Sequence, residues 1–412
     1  MTEEQALAWL FSLADQERGV GWNPRASPDS QWKLGRTRTL LDLAGAPDRR
    51  LRIALVAGTK GKGSTSAMLA SILGAAGVRC GLYTKPHLQT YRERIRIDGR
   101  AIAPTAFADM VKRMQRLIPR LPPEAGEPTT FEVTTAMALE HFAQRHCEIA
   151  VVEVGLGGRL DATNATDPEL SIITSISYDH TAILGRTLGA IASEKAGILR
   201  HGRTALLAVQ RPAAKDALKK RCLEVGANCR VVPPLDREVR LVGSHQRQNA
   251  ALAVEAARVL HDGLSEDQID RGLARLHWPG RFEFISERLV LDGAHNGASA
   301  QALAETLAGQ PIQLVVGINR DKDARAVLRP LVPLATRVWA TQTSDNPRAL
   351  PVSELAELCR HLGAHVTEVP LLDEALKRAL AAERELVCVT GSMMLVGQAR
   401  ATLGLPAPER LW

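Results

Sequence analysis

At 412 residues the chain is longer than the ~250–300 at which a single hydrophobic core stops growing, so two domains are expected. A hydrophobic share of 45% with 24% charged residues is that of an ordinary soluble globular protein, and aromatics at 4% speak against a base-stacking nucleic-acid platform. The formal net charge of +7 is spread along the chain, with small clusters at Arg92-Glu93-Arg94 and Lys219-Lys220-Arg221; it suits anionic small substrates and by itself selects no partner.

Met1 to Leu13 carries acidic residues and no positively charged leader, so no signal peptide is expected. Residues 3–13 read as a short amphipathic helix, followed by a Gly/Pro/Ser-rich loop to about Ser30 and a second helix from Lys33 to Leu43. No apolar run approaches the ~20 residues of a membrane span. An apolar strand, Leu51 to Ala57, then feeds Gly58-Thr59-Lys60-Gly61-Lys62-Gly63-Ser64-Thr65, and a helix over Ser64 to Ala76 leaves it. Closely spaced glycines let backbone N–H groups turn inward, and the helix N-terminus aims donors and dipole at an anion. Lys62 adds a mobile cation for terminal phosphates, and Ser64 or Thr65 a hydroxyl for a magnesium ion. The usual G-x-x-x-x-G-K-[ST] rule would need glycine at Val56 and a hydroxyl where Gly63 stands, so this is a phosphate loop of a variant kind.

A strand at 78–83 completes a βαβ unit, implying a parallel sheet with a right-handed crossover. Thr84-Lys85-Pro86-His87-Leu88 opens a polar segment; alternation at 94–97 followed by Asp98-Gly99 predicts a hairpin. A helix over 105–118 runs into a proline-rich breaker from Leu121 to Pro128, after which Thr129-Thr130-Phe131-Glu132 is a capping box opening a helix to about His146. Glu148 to Val154 is a buried strand carrying Glu153, followed by Gly155-Leu156-Gly157-Gly158-Arg159-Leu160-Asp161-Ala162-Thr163-Asn164. Leu170 to Ile176 is another, running into Tyr178-Asp179-His180; a helix over 188–199 holds Glu194-Lys195-Ala196-Gly197. Helices follow from Ser244 to about His261 and over 265–275, and Trp278-Pro279-Gly280-Arg281 is a stiff break suited to a domain boundary. Strands near 288–292, 312–317, 336–340, 365–369 and 386–390, with helices between, predict a smaller second α/β sheet. Cys80, Cys147, Cys222, Cys229, Cys359 and Cys388 form no C-x-x-C pair or metal-ligand spacing and read as mostly buried, inert thiols of a reducing cytosol.

Ligands of doubly wound sheets bind at the carboxyl ends of strands. Lys62, Glu153, His180 and Lys195 all follow strands or the phosphate loop there. Singly, each has a plainer reading: a strand-end salt bridge for Glu153, a capping or core group for His180, a solvated helix residue for Lys195. Together they supply what one metal–nucleotide site requires.

In that order, Gly58-Thr59-Lys60-Gly61-Lys62-Gly63-Ser64, the Glu153–Asn164 run, Asp179-His180 and Glu194-Lys195-Ala196-Gly197-Ile198 resemble the Mur-ligase superfamily, and within it folylpolyglutamate synthase/dihydrofolate synthase. Ser244-His245-Gln246-Arg247-Gln248-Asn249-Ala250, Pro279-Gly280-Arg281-Phe282-Glu283, Leu291-Asp292-Gly293-Ala294-His295-Asn296 and Thr390-Gly391-Ser392 extend the resemblance over nearly the whole chain. It implies a P-loop NTPase-like doubly wound domain over 1–281 and a smaller Rossmann-like α/β domain over 282–412, with the active site in the cleft between them. It implies an ATP-dependent ligase that adds L-glutamate to a dihydropteroate or reduced-folate carboxylate through an acyl phosphate, in folate biosynthesis and polyglutamylation.

The site residues it implies are Lys62, Lys195, His180 and Arg281 for catalysis, with Gly58 to Thr65, Asn249, Arg281, Asp292 and His295 around ATP. Ser64, Glu153 and His180 would hold magnesium, as two ions; Lys195 stands where the family carries a carbamylated lysine (N6-carboxylysine), and a monovalent cation is a further implied cofactor. A cytoplasmic monomer is expected, with small-molecule substrates and neither nucleic acid nor membrane as partner. Lys85 departs from the family's usual serine, a magnesium ligand, and a protonated lysine cannot ligate a hard cation; either Thr84 or water takes the serine's place or Lys85 supplies positive charge directly to the phosphates, and the last is the expectation. Other readings are a cell-wall precursor ligase of the same superfamily, disfavoured because 57 residues before Gly58 are few for the domain such enzymes carry there, and a non-catalytic nucleotide-binding module.

Overall fold

The computed structural model describes residues 1–15, 34–344, 346–381 and 385–412. The predicted loop up to Ser30 and Lys33, the predicted start of the second helix, lie outside the described residues; that helix is seen over Leu34–Leu43. Two α/β units follow one another. The first is built on an eight-stranded sheet: β1 (Arg52–Ala57), β2 (Cys80–Tyr83), β3 (Ile95–Ile97), β4 (Arg100–Ala101), β5 (Ile149–Glu153), β6 (Leu170–Ile173), β7 (Thr204–Ala208) and β8 (Asn228–Val232), in the spatial order β4-β3-β2-β5-β1-β6-β7-β8. The strands β2, β5, β1, β6, β7 and β8 run parallel; β3 and β4 form the expected antiparallel hairpin at one edge.

A parallel sheet covered on both faces needs strands that are apolar throughout, and β1 shows why the run is continuous. Ile53, Leu55 and Ala57 enter the core on one face, Ala54 and Val56 the core on the other. The helices Lys62–Ala75, His245–Leu260 and Glu266–Arg275 cover one face and Thr130–Gln144 the other; the Thr129–Glu132 capping box is formed as expected. The order of β5, β1 and β6 makes the carboxyl end of β1 the switch point, with connections leaving in opposite directions on its two sides.

The second unit has a six-stranded sheet: β9 (Glu283–Ser286), β10 (Leu289–Leu291), β11 (Ile312–Val316), β12 (Ala335–Ala340), β13 (Val366–Glu368) and β14 (Leu386–Thr390), ordered β13-β12-β11-β14-β10-β9. Five strands match the sequence expectation, and β9, antiparallel at the edge, is additional. Its short, half-exposed Glu283–Ser286 follows the Pro-Gly break and leaves no period for a sequence reading to detect.

The units are stitched together beyond the hinge. The helix Met393–Thr402 lies so close to the Lys85–Leu88 turn that a Cβ on Gly397 would sit 1.9 Å from the Leu88 carbonyl oxygen. The last residues return to the first unit: Leu411 is buried in its core, its N–H donates to the Gly99 carbonyl, and its own carbonyl accepts from His277. Four cysteines are buried thiols, but Cys222 and Cys229 are joined in a disulfide, correcting their reading as thiols. The helix Pro212–Val225 turns at Gly226 straight into β8, which brings the two Cα atoms to 6.2 Å.

Candidate active site

The phosphate loop joins β1 to the helix Lys62–Ala75, which begins two residues earlier than expected because Gly61, at φ 82°, makes the left-handed turn. A Cβ on Gly61 would fall 2.1 Å from Asn249 Oδ1, so only glycine permits this approach of the loop to the helix His245–Leu260. The loop is pinned from β6: Thr59 N–H donates to the Ser175 carbonyl at 2.8 Å, and the Thr174 hydroxyl donates to the Lys60 carbonyl at 2.6 Å.

Register places the carboxylate beside this cradle. Val56 of β1 is level with Glu153 of β5. Glu153 is 3% exposed, its Oε2 accepts from the Lys85 N–H at 3.1 Å, and Lys62 Nζ stands 3.8 Å from Oε1. A Cβ on Gly63 would lie 3.3 Å from that Oε2, so the missing side chain leaves the carboxylate's cleft side open. Burial raises the Glu153 pKa, opposed by Lys62 and Lys85.

The glycine-rich run after β5 packs on the helix end that carries Lys195. A Cβ on Gly158 would meet the carbonyls of Glu194 and Lys195 at 2.8 and 2.9 Å, and Arg159 N–H donates to the Glu194 carbonyl. Asp161 shapes the run by accepting from Leu156 N–H and from the Thr163 N–H and hydroxyl. Lys195 thus reaches the loop from behind, 4% exposed, with Nζ donating to the Gly58 carbonyl at 2.9 Å. Burial, then Lys62, lowers its pKa to about 7. His180 stands in a left-handed turn (φ 48°) after β6, its pKa pushed down to about 3 by enclosure and by Lys322.

The second unit closes the cleft from its own strand ends. Arg281 lies at the hinge. The Asp292 carboxylate accepts from Phe282 and Ala294 N–H, both at 2.8 Å, so it shapes the loop after β10; burial raises its pKa. His295 Nδ1 lies 2.8 Å from the Gly293 carbonyl, and burial holds its pKa well below the usual range.

One cleft of about 440 Å³ gathers these groups. Gly58, Thr59, Lys60, Gly61, Lys62, Gly63, Ser64, Glu153, His180, Lys195, Asn249, Arg281, Asp292 and His295 all line it. Thr65 does not; it is fully buried, and its Oγ1 has no hydrogen-bond partner among the described residues. Six lysines and arginines (Lys60, Lys62, Lys85, Lys195, Arg211 and Arg281) line it with three carboxylates (Glu153, Asp179 and Asp292), a preponderance of basic side chains that suits an anionic ligand.

Asp179 and Asn296 stand in the quoted runs without a role and Lys322 in none of them, although all three meet here. Asp179 was hidden by its neighbour His180. Lys322 follows β11 and Asn296 follows β10, and position at a strand's carboxyl end was the one signal they offered.

Comparison with known proteins places the chain in a family. Residues 56–231 match the Mur ligase middle domain and residues 280–393 the Mur ligase glutamate ligase domain. A dihydrofolate synthase/folylpolyglutamate synthase of Bacillus subtilis is 34% identical over 409 residues, covering 90% of this chain and 94% of that protein. The bifunctional folylpolyglutamate synthase/dihydrofolate synthase of Yersinia pestis, solved with AMPPNP and a manganese ion, is 30% identical and superposes with a TM-score of 0.85, covering 98% of each chain. Escherichia coli FolC with DHPP and ADP is 28% identical, with a TM-score of 0.85 over 98% of each chain.

Proposed function

The chain belongs to the folylpolyglutamate/dihydrofolate synthase branch of the Mur ligases, and from that premise we propose how its cleft performs an ATP-dependent glutamate ligation in folate metabolism. The observation that carries the proposal is the convergence of the phosphate loop, Glu153, His180, Lys195 and Arg281 on one cleft between two units.

A carboxylate is a poor electrophile, and ATP converts it to an acyl phosphate that the amine of L-glutamate attacks; phosphate leaves and an amide forms. The donors of the helix Lys62–Ala75 and the Lys62 ammonium hold the phosphates and offset charge building on the transferring group. Arg281 approaches the same phosphates from the hinge, and Asn249 and His295 flank the nucleotide. Water would destroy the intermediate, which gives the two-unit enclosure its purpose.

The donor set fits a hard divalent cation: the Glu153 carboxylate with its open side, the Ser64 hydroxyl and an uncharged His180 imidazole. Magnesium bound there would neutralise charge on the transferring phosphoryl group. Lys195, an amine among cations with its pKa lowered to about 7, suits carbamylation: the ammonium gives up one proton, the lone pair of the neutral amine takes up CO₂ with loss of a second proton, and the side chain changes from cation to anion. For Lys85, whose N–H holds Glu153, we retain the role of a cation facing the phosphates.

Phosphate release tests the reading. It should require a pterin-linked carboxylic acid and L-glutamate together, with dihydropteroate and tetrahydrofolate compared as acceptors. Release that is identical without the acid would overturn the assignment. Replacing potassium by tetramethylammonium in this assay reads out the monovalent cation.

A further inference from the structure

Asp179 sits where three segments of the chain meet. Its Oδ2 accepts from Asn296 Nδ2 at 2.6 Å and stands 3.5 Å from Lys60 Nζ. Its Oδ1 accepts from Lys322 Nζ at 3.1 Å and from the His180 N–H at 3.0 Å. Lys60 belongs to the phosphate loop; Asn296 and Lys322 belong to the second unit, on the loops after β10 and β11. The Asp179 and Lys322 side chains are each 11% exposed, so the pair is shielded from the solvent that makes surface ion pairs weak.

We propose that Asp179 is a positioning residue, a latch that holds the second unit against the phosphate loop and carries Lys322 to the edge of the phosphate site. The inference rests on the ligase reading above. Three features support the role. Asp179 touches both units at once, so separating them breaks the Lys322 and Asn296 contacts together. Its two oxygens are shared between side chains of the two units, Lys60 on one side and Lys322 with Asn296 on the other, so the carboxylate ties the phosphate loop to the loops after β10 and β11. Lys322 Nζ is also 3.5 Å from His180 Nε2, so the latch sets the second unit's cation beside a residue of the proposed metal site. A shift of about 1 Å in such a group can cost on the order of 10²-fold in rate.

The test uses the full chain with Asp179→Asn, Lys322→Met, the double variant and Lys322→Arg. Each of the first two should lower kcat about 10- to 100-fold, with KM for ATP changed by less than about threefold. The double variant should be no slower than the worse single one, because both remove the same contact. Lys322→Arg, which keeps the pair, should recover most of the rate. Small-angle scattering with and without AMPPNP is the readout independent of turnover: Asp179→Asn and Lys322→Met should give a more extended particle than wild type. Melting temperatures verify that each variant is folded. Wild-type scattering in both variants, or rate losses that multiply in the double variant, would overturn the latch. Absence of glutamate-dependent phosphate release in the wild-type chain would instead overturn the ligase reading, while the scattering comparison would still decide the latch.

Discussion

Lys195 is the group whose chemistry the structure constrains most tightly. It is 4% exposed, its Nζ donates to the Gly58 carbonyl, and burial with Lys62 lowers its pKa to about 7. At about pH 7.5 roughly three quarters of it would be free amine, against about one part in a thousand for a solvated lysine, an enrichment approaching three powers of ten. Only the free amine combines with CO₂, so the enclosure that disfavours the ammonium prepares the carbamate. Intact-protein mass spectrometry in bicarbonate at neutral pH should show the gain of one CO₂, lost in mildly acidic CO₂-free buffer together with activity and regained when bicarbonate is restored. Lys195→Ala should lower kcat by about 10²–10³-fold, the scale for removing one preorganised electrostatic group from an active site. Full turnover by a chain that carries no carbamate, or electron density for a bare ammonium at high bicarbonate, would refute the reasoning.

Glu153→Gln keeps the shape but removes the charge beside Lys62; phosphate release should fall about 10²-fold and its half-saturating magnesium concentration should rise, whereas an unchanged metal titration would remove Glu153 from the metal site. Gly61→Ala brings a Cβ to 2.1 Å from Asn249 Oδ1 at a left-handed position, a strain of about 1–3 kcal/mol, so calorimetry should find AMPPNP bound at least several-fold more weakly. For stability, burial lowers the pKa of Lys60 and Lys195 to about 7 in the folded chain, from an ordinary value of 10.5. Between those values the unfolded chain binds more protons, so each group's contribution rises with pH across that window. In CO₂-free buffer the wild type should therefore gain melting temperature relative to Lys195→Met as pH rises from about 7 to 10, and a constant difference would count against a depressed Lys195.

Much of the first unit was legible because its signals are local. The β1 run, buried on both faces, the capping box at Thr129 and the glycines of the phosphate loop each act within a few residues, so their geometry can be inferred from their neighbours. The site was legible as far as its motifs reached: fourteen of the fifteen expected residues line the cleft, and Thr65 lies buried behind it. Edges were less legible. β9 lacks a two-sided apolar run, and the pairing of Ala101 N–H with the Glu409 carbonyl joins segments about three hundred residues apart.

By itself the sequence determined the chemistry available at each strand end: an anion cradle, a carboxylate closing β5, a histidine after β6 and a lysine on the helix beyond. Those properties follow from residue type and from backbone rules that operate over a few positions. Tertiary structure alone decided what each group faces. It turned Lys195 from a solvated helix residue into a buried amine against Gly58 and gave Asp179 its partners from positions 60, 296 and 322. The physical reason is that burial and ion pairing depend on the distance between segments folded together, and separations of more than a hundred residues leave no periodicity in a sequence.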